Sequence, residues 1–225
     1  MNLFSDVSNK FLTKSSSILL FVVIFTIFFV PFFPIELHKY FYGICFTLIF
    51  LLSALALSKN RSKVINIAIA VIIIEWLSEI LNLSLLITVS TIANIVFFDM
   101  IVVLFILQIA RSKTVTPRVI MESINGYLML GLSFSILIAL VCIIDQNAFS
   151  FKHLTEQMDP SISYVSNYFY FGFVTLSTLG YGDVVPLTPA AKSLAIFTGI
   201  TGQMYVAIII AALVSKYLGQ KNSKN

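Results

Sequence analysis

The residues with the most distinctive chemistry stand in one run, Thr175-Leu176-Ser177-Thr178-Leu179-Gly180-Tyr181-Gly182-Asp183. What the run offers is chiefly its backbone. Gly180 and Gly182 adopt positive φ without steric cost, so successive carbonyl groups can be aimed where residues bearing a Cβ would not aim them. Carbonyls gathered in rings can replace the water shell of a cation that enters a narrow passage. Side-chain chemistry is sparse elsewhere. His38 and His153 fall in predicted outer loops with no metal-ligand partner at useful spacing, and no enzyme is expected. Cys45 and Cys142 both lie in apolar runs, which suits buried, inert thiols better than a disulfide framework.

The elements that must position this run are membrane helices. Of 225 residues, 59% are hydrophobic and only 11% are charged, too little polar material to clothe a soluble domain of this length. A spanning helix needs roughly 20 mainly apolar residues to cross a hydrocarbon core about 30 Å thick. Six stretches qualify: 17–33, 40–57, 64–81, 90–110, 123–144 and 189–217. The first is short unless it begins near Phe11. It also resembles a signal peptide, with Lys10 and Lys14 before an apolar stretch, but Pro31-Phe32-Phe33-Pro34 follows instead of a cleavage site, so it is kept as a span. With the N-terminus inside, only Lys39, Lys152 and Lys192 of the fourteen basic residues lie outside. The positive-inside bias thus predicts cytoplasmic termini. It also accounts for the net charge of +4 without a nucleic-acid partner.

Between the last two spans the pattern changes. Residues 145–164 read as an exposed turret, and residues 165–177 are aromatic and apolar but too short to span. Gly180, Gly182 and Pro186 then break any helix before the final span. A short helix that enters and an irregular segment that returns is the expected form. Non-helical backbone at that depth is tolerated only where protein buries it or it lines a wet cavity, and this points to a pore.

The run resembles the signature of the potassium-channel family, in which Thr-Val-Gly-Tyr-Gly follows a pore helix and precedes Asp. Leu179 stands where the family most often has Val or Ile. The resemblance implies potassium sites formed by the carbonyls of Thr178, Leu179, Gly180 and Tyr181, with the Thr178 hydroxyl as the innermost ring. Tyr181 would pack on Tyr170 and Phe171 of the pore helix, and Asp183 would sit at the outer mouth. Two departures stand out. Val174 replaces a Glu that braces the filter in some bacterial channels, so a carboxylate link to Asp183 is missing. Tyr170-Phe171 replaces a common Trp-Trp pair, so the indole donors are missing too.

The last span would line the cavity. A gapless match to the family puts the hinge at Gly202, while Gly199 is a second candidate or a close-packing glycine. In that register Gln203, Val206, Ile210 and Val214 face the cavity, and Ile210 with Val214 could form a hydrophobic gate. The first four spans resemble voltage-gated channels in layout alone, because the fourth carries no basic residue before Arg111. Glu75, Glu79 and Asp99 lie within spans, where a carboxylate is a functional hypothesis by default. Glu75 stands twelve residues from Lys63, and Asp99 twelve from Arg111. Both are therefore expected about 18 Å from the cytoplasmic anchors at about 1.5 Å per residue, near mid-membrane. Two facing carboxylates there cannot both ionise cheaply, and a rise in pH would drive the helices apart and bias the pore. The alternative is that each is protonated or hydrogen-bonded to Asn82, Asn94, Gln108 or a water. The sequon Asn82-Leu83-Ser84 falls in a predicted outer loop and is weak as a signal.

The sequence thus predicts an all-α membrane protein: six transmembrane helices with a re-entrant pore helix and filter loop, assembled as a homotetramer. Residues 1–116 would form a four-helix membrane domain, 117–217 the pore domain, and 218–225 a short tail. The expected function is a potassium channel in the cell membrane, weakly voltage-dependent, with a non-selective cation pore or a proton-coupled carrier as alternatives. A carrier usually shows broken helices in both of two repeated halves, and only one such segment occurs here. A non-conducting partner subunit is a third option. Potassium is the transported ion and no cofactor is expected. The expected partners are three identical subunits and lipid, with no cytosolic ligand-binding domain.

Overall fold

A computed structural model describes residues 2–57, 61–81, 84–112, 114–151 and 164–222. Among the described residues, seven α-helices carry the fold: α1 Asn2–Ile24, α2 Ile35–Ala56, α3 Arg61–Leu81, α4 Ser84–Arg111, α5 Pro117–Ile144, α6 Tyr164–Leu176 and α7 Pro189–Asn222. Two-residue strands β1, Phe149–Ser150, and β2, Val185–Pro186, pair antiparallel, with Phe149 opposite Pro186 and Ser150 opposite Val185. Among the described residues, five helical stretches are long and apolar enough to cross a membrane: Leu12–Phe32, Glu36–Ala56, Thr88–Arg111, Pro117–Ile144 and Pro189–Lys221. The protein is an integral membrane protein. The third expected span, 64–81, forms as α3, whose 21 residues cover about 31 Å at 1.5 Å each, but it is not among the five.

Local sequence explains the helix ends. α1 passes into a π turn, Phe25–Phe29, and a 3₁₀ turn, Val30–Phe32. Pro31 has no N–H to continue the ladder, so the helix changes pitch and stops. The first span therefore reaches back to Leu12, closer to the Phe11 start than to residue 17. Thr116 and Thr188 cap α5 and α7 by accepting hydrogen bonds from the Val119 and Ala191 amides, both at 3.4 Å. Proline follows each cap at the first helical position, where its missing N–H costs nothing.

The chain divides into two compact units, residues 1–126 with 216–225, and residues 127–215. In the first, antiparallel helices bury Leu19, Val23, Ile49, Phe98, Ile101, Phe105 and Ile109. Phe50 stacks on Phe97 with ring centroids 5.8 Å apart. The Ser78 and Ser90 hydroxyls are hydrogen-bonded at 3.0 Å between α3 and α4. This fixes a register in which Glu75 stands level with residue 93. Asp99 therefore lies about 9 Å further along the axis, six residues at 1.5 Å each, and the two carboxylates are not level as the distances to Lys63 and Arg111 suggest. Glu75 is exposed and Asp99 half-buried. The side chain of Glu79, the turret residues 152–163 and the sequon residues Asn82 and Leu83 lie outside the described residues.

The second unit packs α5, α6 and α7 closely. A Cβ at Gly131 would overlap the Phe173 ring, and one at Gly172 would overlap the Ser135 hydroxyl. Small residues at helix crossings let backbones approach in this way. Its core gathers Ile138, Ala148, Phe149, Phe171, Val184 and Ala191.

Candidate functional site: the loop between the pore helix and the last span

α6 delivers its C-terminal end to the loop. The Ser177 and Thr178 amides still donate to the carbonyls of Phe173 and Thr175, and the Leu179 and Gly180 amides both donate to the Val174 carbonyl, at 3.0 and 3.4 Å. The helix thus ends by winding the next residues over its last turn. Beyond it, φ is positive at Thr178 (58°), Gly180 (55°) and Gly182 (83°), and at no other described residue. Sign alternates along 178–182. In a regular strand successive carbonyls point to opposite sides; inverting φ at every second residue is the backbone condition for them to share one side.

Nothing lies within 4 Å of a Cβ built on Gly180 or Gly182. Space does not explain these glycines, and the backbone angle does. Thr178 adopts the same region despite its branched Cβ, a conformation such residues avoid. Its hydroxyl is tied twice: it donates to the Ser177 carbonyl at 2.7 Å and accepts from Gln203 Nε2 at 2.8 Å. This contact between the loop and α7 is absent from the sequence reading. Its one legible signal is a lone amide in an apolar helix.

The outer end of the loop is braced from α6. The Tyr170 hydroxyl donates to Asp183 Oδ2 at 2.5 Å, and the Tyr170 and Tyr181 rings stack with an interplanar angle of 2° and centroids 6.4 Å apart. Tyr170 lies on the re-entrant helix, outside the spans. Its bond to Asp183 is the chief cause that pushes its phenol up to about 12, with smaller contributions from burial and nearby charge. The other Asp183 oxygen accepts from the Val184 amide at 3.0 Å. Asp183 thus has a phenol donor where the missing carboxylate and indoles left it none in the sequence reading. Phe171 is placed differently from expectation. It packs edge-on against Phe149, centroids 5.1 Å apart, in the core behind the loop, while Tyr170 alone stacks on Tyr181.

Other expected residues are scattered along α7. A Cβ on Gly202 would overlap the Leu176 carbonyl oxygen, whereas one on Gly199 would meet only the Thr175 carbonyl at 3.7 Å, an ordinary contact. Close packing therefore accounts for Gly202 and leaves Gly199 room. Gln203, Val206, Ile210 and Val214 are all exposed on the single chain. Glu75 and Asp99 lie in the other unit. Among the described residues no group of three or more His, Cys, Asp or Glu is placed to hold a metal ion.

Comparison with known proteins agrees with this geometry. Residues 126–218 match the family model described as ion channel. A two pore potassium channel c of Oryza sativa subsp. japonica is 44% identical over 54 residues, 24% of this chain and 12% of that protein. A two-pore potassium channel 4 of Arabidopsis thaliana is 43% identical over 56 residues, 24% of this chain and 20% of that protein. The voltage-gated potassium channel Kch of Escherichia coli (strain K12) is 40% identical over 50 residues, 22% of this chain and 12% of that protein. The chain spans only a small part of the curated relatives it matches. No solved structure matches it. The re-entrant helix, the loop and α7 as far as Leu218 all fall within the stretch that matches the ion-channel family, in a chain with five helices long and apolar enough to cross a membrane among its described residues. The three relatives are potassium channels.

Proposed function

We propose that the chain is one subunit of a potassium-selective channel that passes K⁺ down its electrochemical gradient. The observation that carries this is the alternation of φ sign through Thr178, Gly180 and Gly182, in a loop whose sequence is Thr-Leu-Gly-Tyr-Gly-Asp. On this reading the carbonyls of Thr178, Leu179, Gly180 and Tyr181 supply the ion's ligands, and the Thr178 hydroxyl supplies the innermost ring. One chain supplies one strand of that cage, so a closed cage takes several copies in cyclic symmetry, four on this reading. Tyr181, 67% exposed on the single chain, and the exposed face of α7 are then subunit contacts or cavity lining. α3 serves as the sixth span, both termini are cytoplasmic, and the cell membrane is the site of action.

Voltage dependence is shallow on this reading. Steep gating takes roughly 3–4 charges per subunit, each worth about 2.3 kcal/mol per 100 mV, and α4 carries no basic residue before Arg111. The deciding experiment is reconstitution of the purified protein with single-channel recording in opposed potassium and sodium gradients. The reversal potential is expected to follow potassium, and mass photometry in detergent to give four subunits. Equal permeation of the two ions, or a conducting monomer or dimer, overturns the reading.

A further inference from the structure

We propose that the four-helix unit holds a binding site for the phosphate headgroup of an anionic membrane phospholipid. The observation is a cavity of about 650 Å³ in the first unit, where the middle of α1 and the C-terminal ends of α2 and α4 meet the start of α5. That volume is in the range of pockets that enclose small ligands. Four apolar spans begin or end in sequence at Leu12, Ala56, Arg111 and Pro117, and Thr13, Leu57, Arg111 and Pro117, at or beside those bounds, all line this one cavity. The cavity therefore sits where hydrocarbon gives way to water, at the depth of a lipid headgroup.

Its walls divide by chemistry. Leu57, Leu104, Leu107 and Val119 form an apolar side, and Ser112, Thr114 and Thr116 form a hydroxyl-bearing rim. Glu122, 2% exposed, is neutralised by Arg118, whose Nε donates to Glu122 Oε1 at 2.7 Å. Arg118 also reaches the Ala56 carbonyl at 3.4 Å, where Gln108 donates at 3.2 Å. Those groups are occupied with one another and close the C-terminal end of α2. Arg111 is not. It lines the cavity and makes no hydrogen bond or ion pair among the described residues.

With Arg118 and Glu122 cancelling, one guanidinium charge is left over in the cavity. A guanidinium presents a fork of donors that matches phosphate geometry; the Thr114 and Thr116 hydroxyls supply further donors, while that of Ser112 is given to the Thr114 carbonyl. The leucine side would take the first methylenes of an acyl chain. A free phosphate ion would use the charge and leave the apolar wall without a partner. A zwitterionic lipid would bring an ammonium toward the uncompensated Arg111. An anionic phospholipid alone satisfies both walls, and basic pockets between helix ends are the sites such headgroups use.

This inference rests on the membrane placement and not on ion selectivity, and its test reads no current. The full-length protein is extracted from vesicles of equal parts phosphatidylcholine and phosphatidylglycerol, and the lipids retained per subunit are counted by native mass spectrometry. Phosphatidylglycerol is expected to be retained in preference. Arg111→Gln should lower that retention about fivefold, the equivalent of about 1 kcal/mol for one basic residue near an anionic surface. Thr114→Glu, on an exposed linker residue, should lower it similarly without removing any packed group. Lys192→Gln, which changes net charge equally on an exposed residue of the second unit, should leave it unchanged. Millimolar inorganic phosphate should not displace the lipid. Equal retention of the two lipids, indifference to both cavity variants, an equal loss with Lys192→Gln, or displacement by inorganic phosphate would each overturn the proposal.

Discussion

The pore unit and the four-helix unit differ in how fully they satisfy their buried polar groups. Around the loop, polar side chains are matched: Gln203 with Thr178, Tyr170 with Asp183. In the four-helix unit Asn94 is 8% exposed, and both of its amide atoms lack a hydrogen-bond partner. Asn125 is wholly buried; its Nδ2 donates to the Ser16 carbonyl at 2.8 Å while its Oδ1 has no partner. A satisfied polar pair holds one geometry, because any departure exposes the cost of an unmade bond. An unsatisfied buried amide already bears that cost and favours no single arrangement. Around the loop the polar groups are thus matched, while the four-helix unit sets matched pairs such as Ser78–Ser90 and Arg118–Glu122 beside buried amides that its apolar packing must carry.

The hardest blow to this contrast falls on the loop. In Gly182→Asp a side chain must adopt the φ of 83° that glycine holds freely, next to Asp183. Discrimination between potassium and sodium should be abolished, as read from reversal potentials; preserved selectivity would show that the backbone angle is not what the loop depends on. Next in size is Gly202→Ala. The added methyl meets backbone, the Leu176 carbonyl, which cannot rotate away. A loss of about 1–3 kcal/mol is expected, visible as a lower melting temperature of the purified oligomer, while Gly199→Ala should be close to neutral. Equal tolerance at both positions would remove the packing role of Gly202.

Tyr170→Phe tests the brace with less disturbance. It deletes one hydrogen bond to a carboxylate and nothing else, a change of about 1.5–3 kcal/mol. On the proposed channel reading, currents should decline faster during sustained opening than those of the unmodified protein. The sign of the pH effect follows from the raised phenol. The bonded, protonated form is favoured in the folded protein, so its contribution is complete below the ordinary value of 10.0 and is lost as pH rises through about 12. Unmodified protein carried through and beyond that window should come to resemble the variant, and a filter left unchanged well above pH 12 would contradict the brace. Smallest of all, Asn94→Leu replaces an unpartnered buried amide by an apolar group of similar size. Stability should rise, by up to about 1–3 kcal/mol, with selectivity untouched. Destabilisation on thermal unfolding would mean that Asn94 has a partner in the working protein.

Legibility in the sequence follows the same division. The loop could be found because its chemistry is local: Gly180 and Gly182 announce their φ by residue type, and the short apolar stretch before them announces the re-entrant helix. Thr178 could not be read this way, since its positive φ is imposed from outside by the helix end and by Gln203, twenty-five residues on. The substitute brace at Asp183 stayed hidden for a similar reason. A tyrosine reads as an aromatic until its hydroxyl is placed in space. Gly202 was legible as special from register, but only the proximity of the Leu176 carbonyl distinguishes a need for room from a need to bend. In the four-helix unit the spacing of Glu75 and Asp99 from basic anchors implied equal depth. The Ser78–Ser90 bond sets a different stagger, because side-chain contacts and not terminal charges fix how helices slide.

The two-residue ladder between β1 and β2 has a consequence best put in polymer terms. Paired at Phe149–Pro186 and Ser150–Val185, and joined by the Leu187 amide to the Ala148 carbonyl at 2.8 Å, it ties the two ends of a ring that contains turret, pore helix and filter. Ring closure grows expensive only slowly with contour length, about 0.6 kcal/mol for each doubling. The pore helix and the filter therefore hang between two ends that are already joined, at Ser150 and at Val185. A pull on α5 or α7 beyond that junction is taken up by the ladder before it reaches the loop.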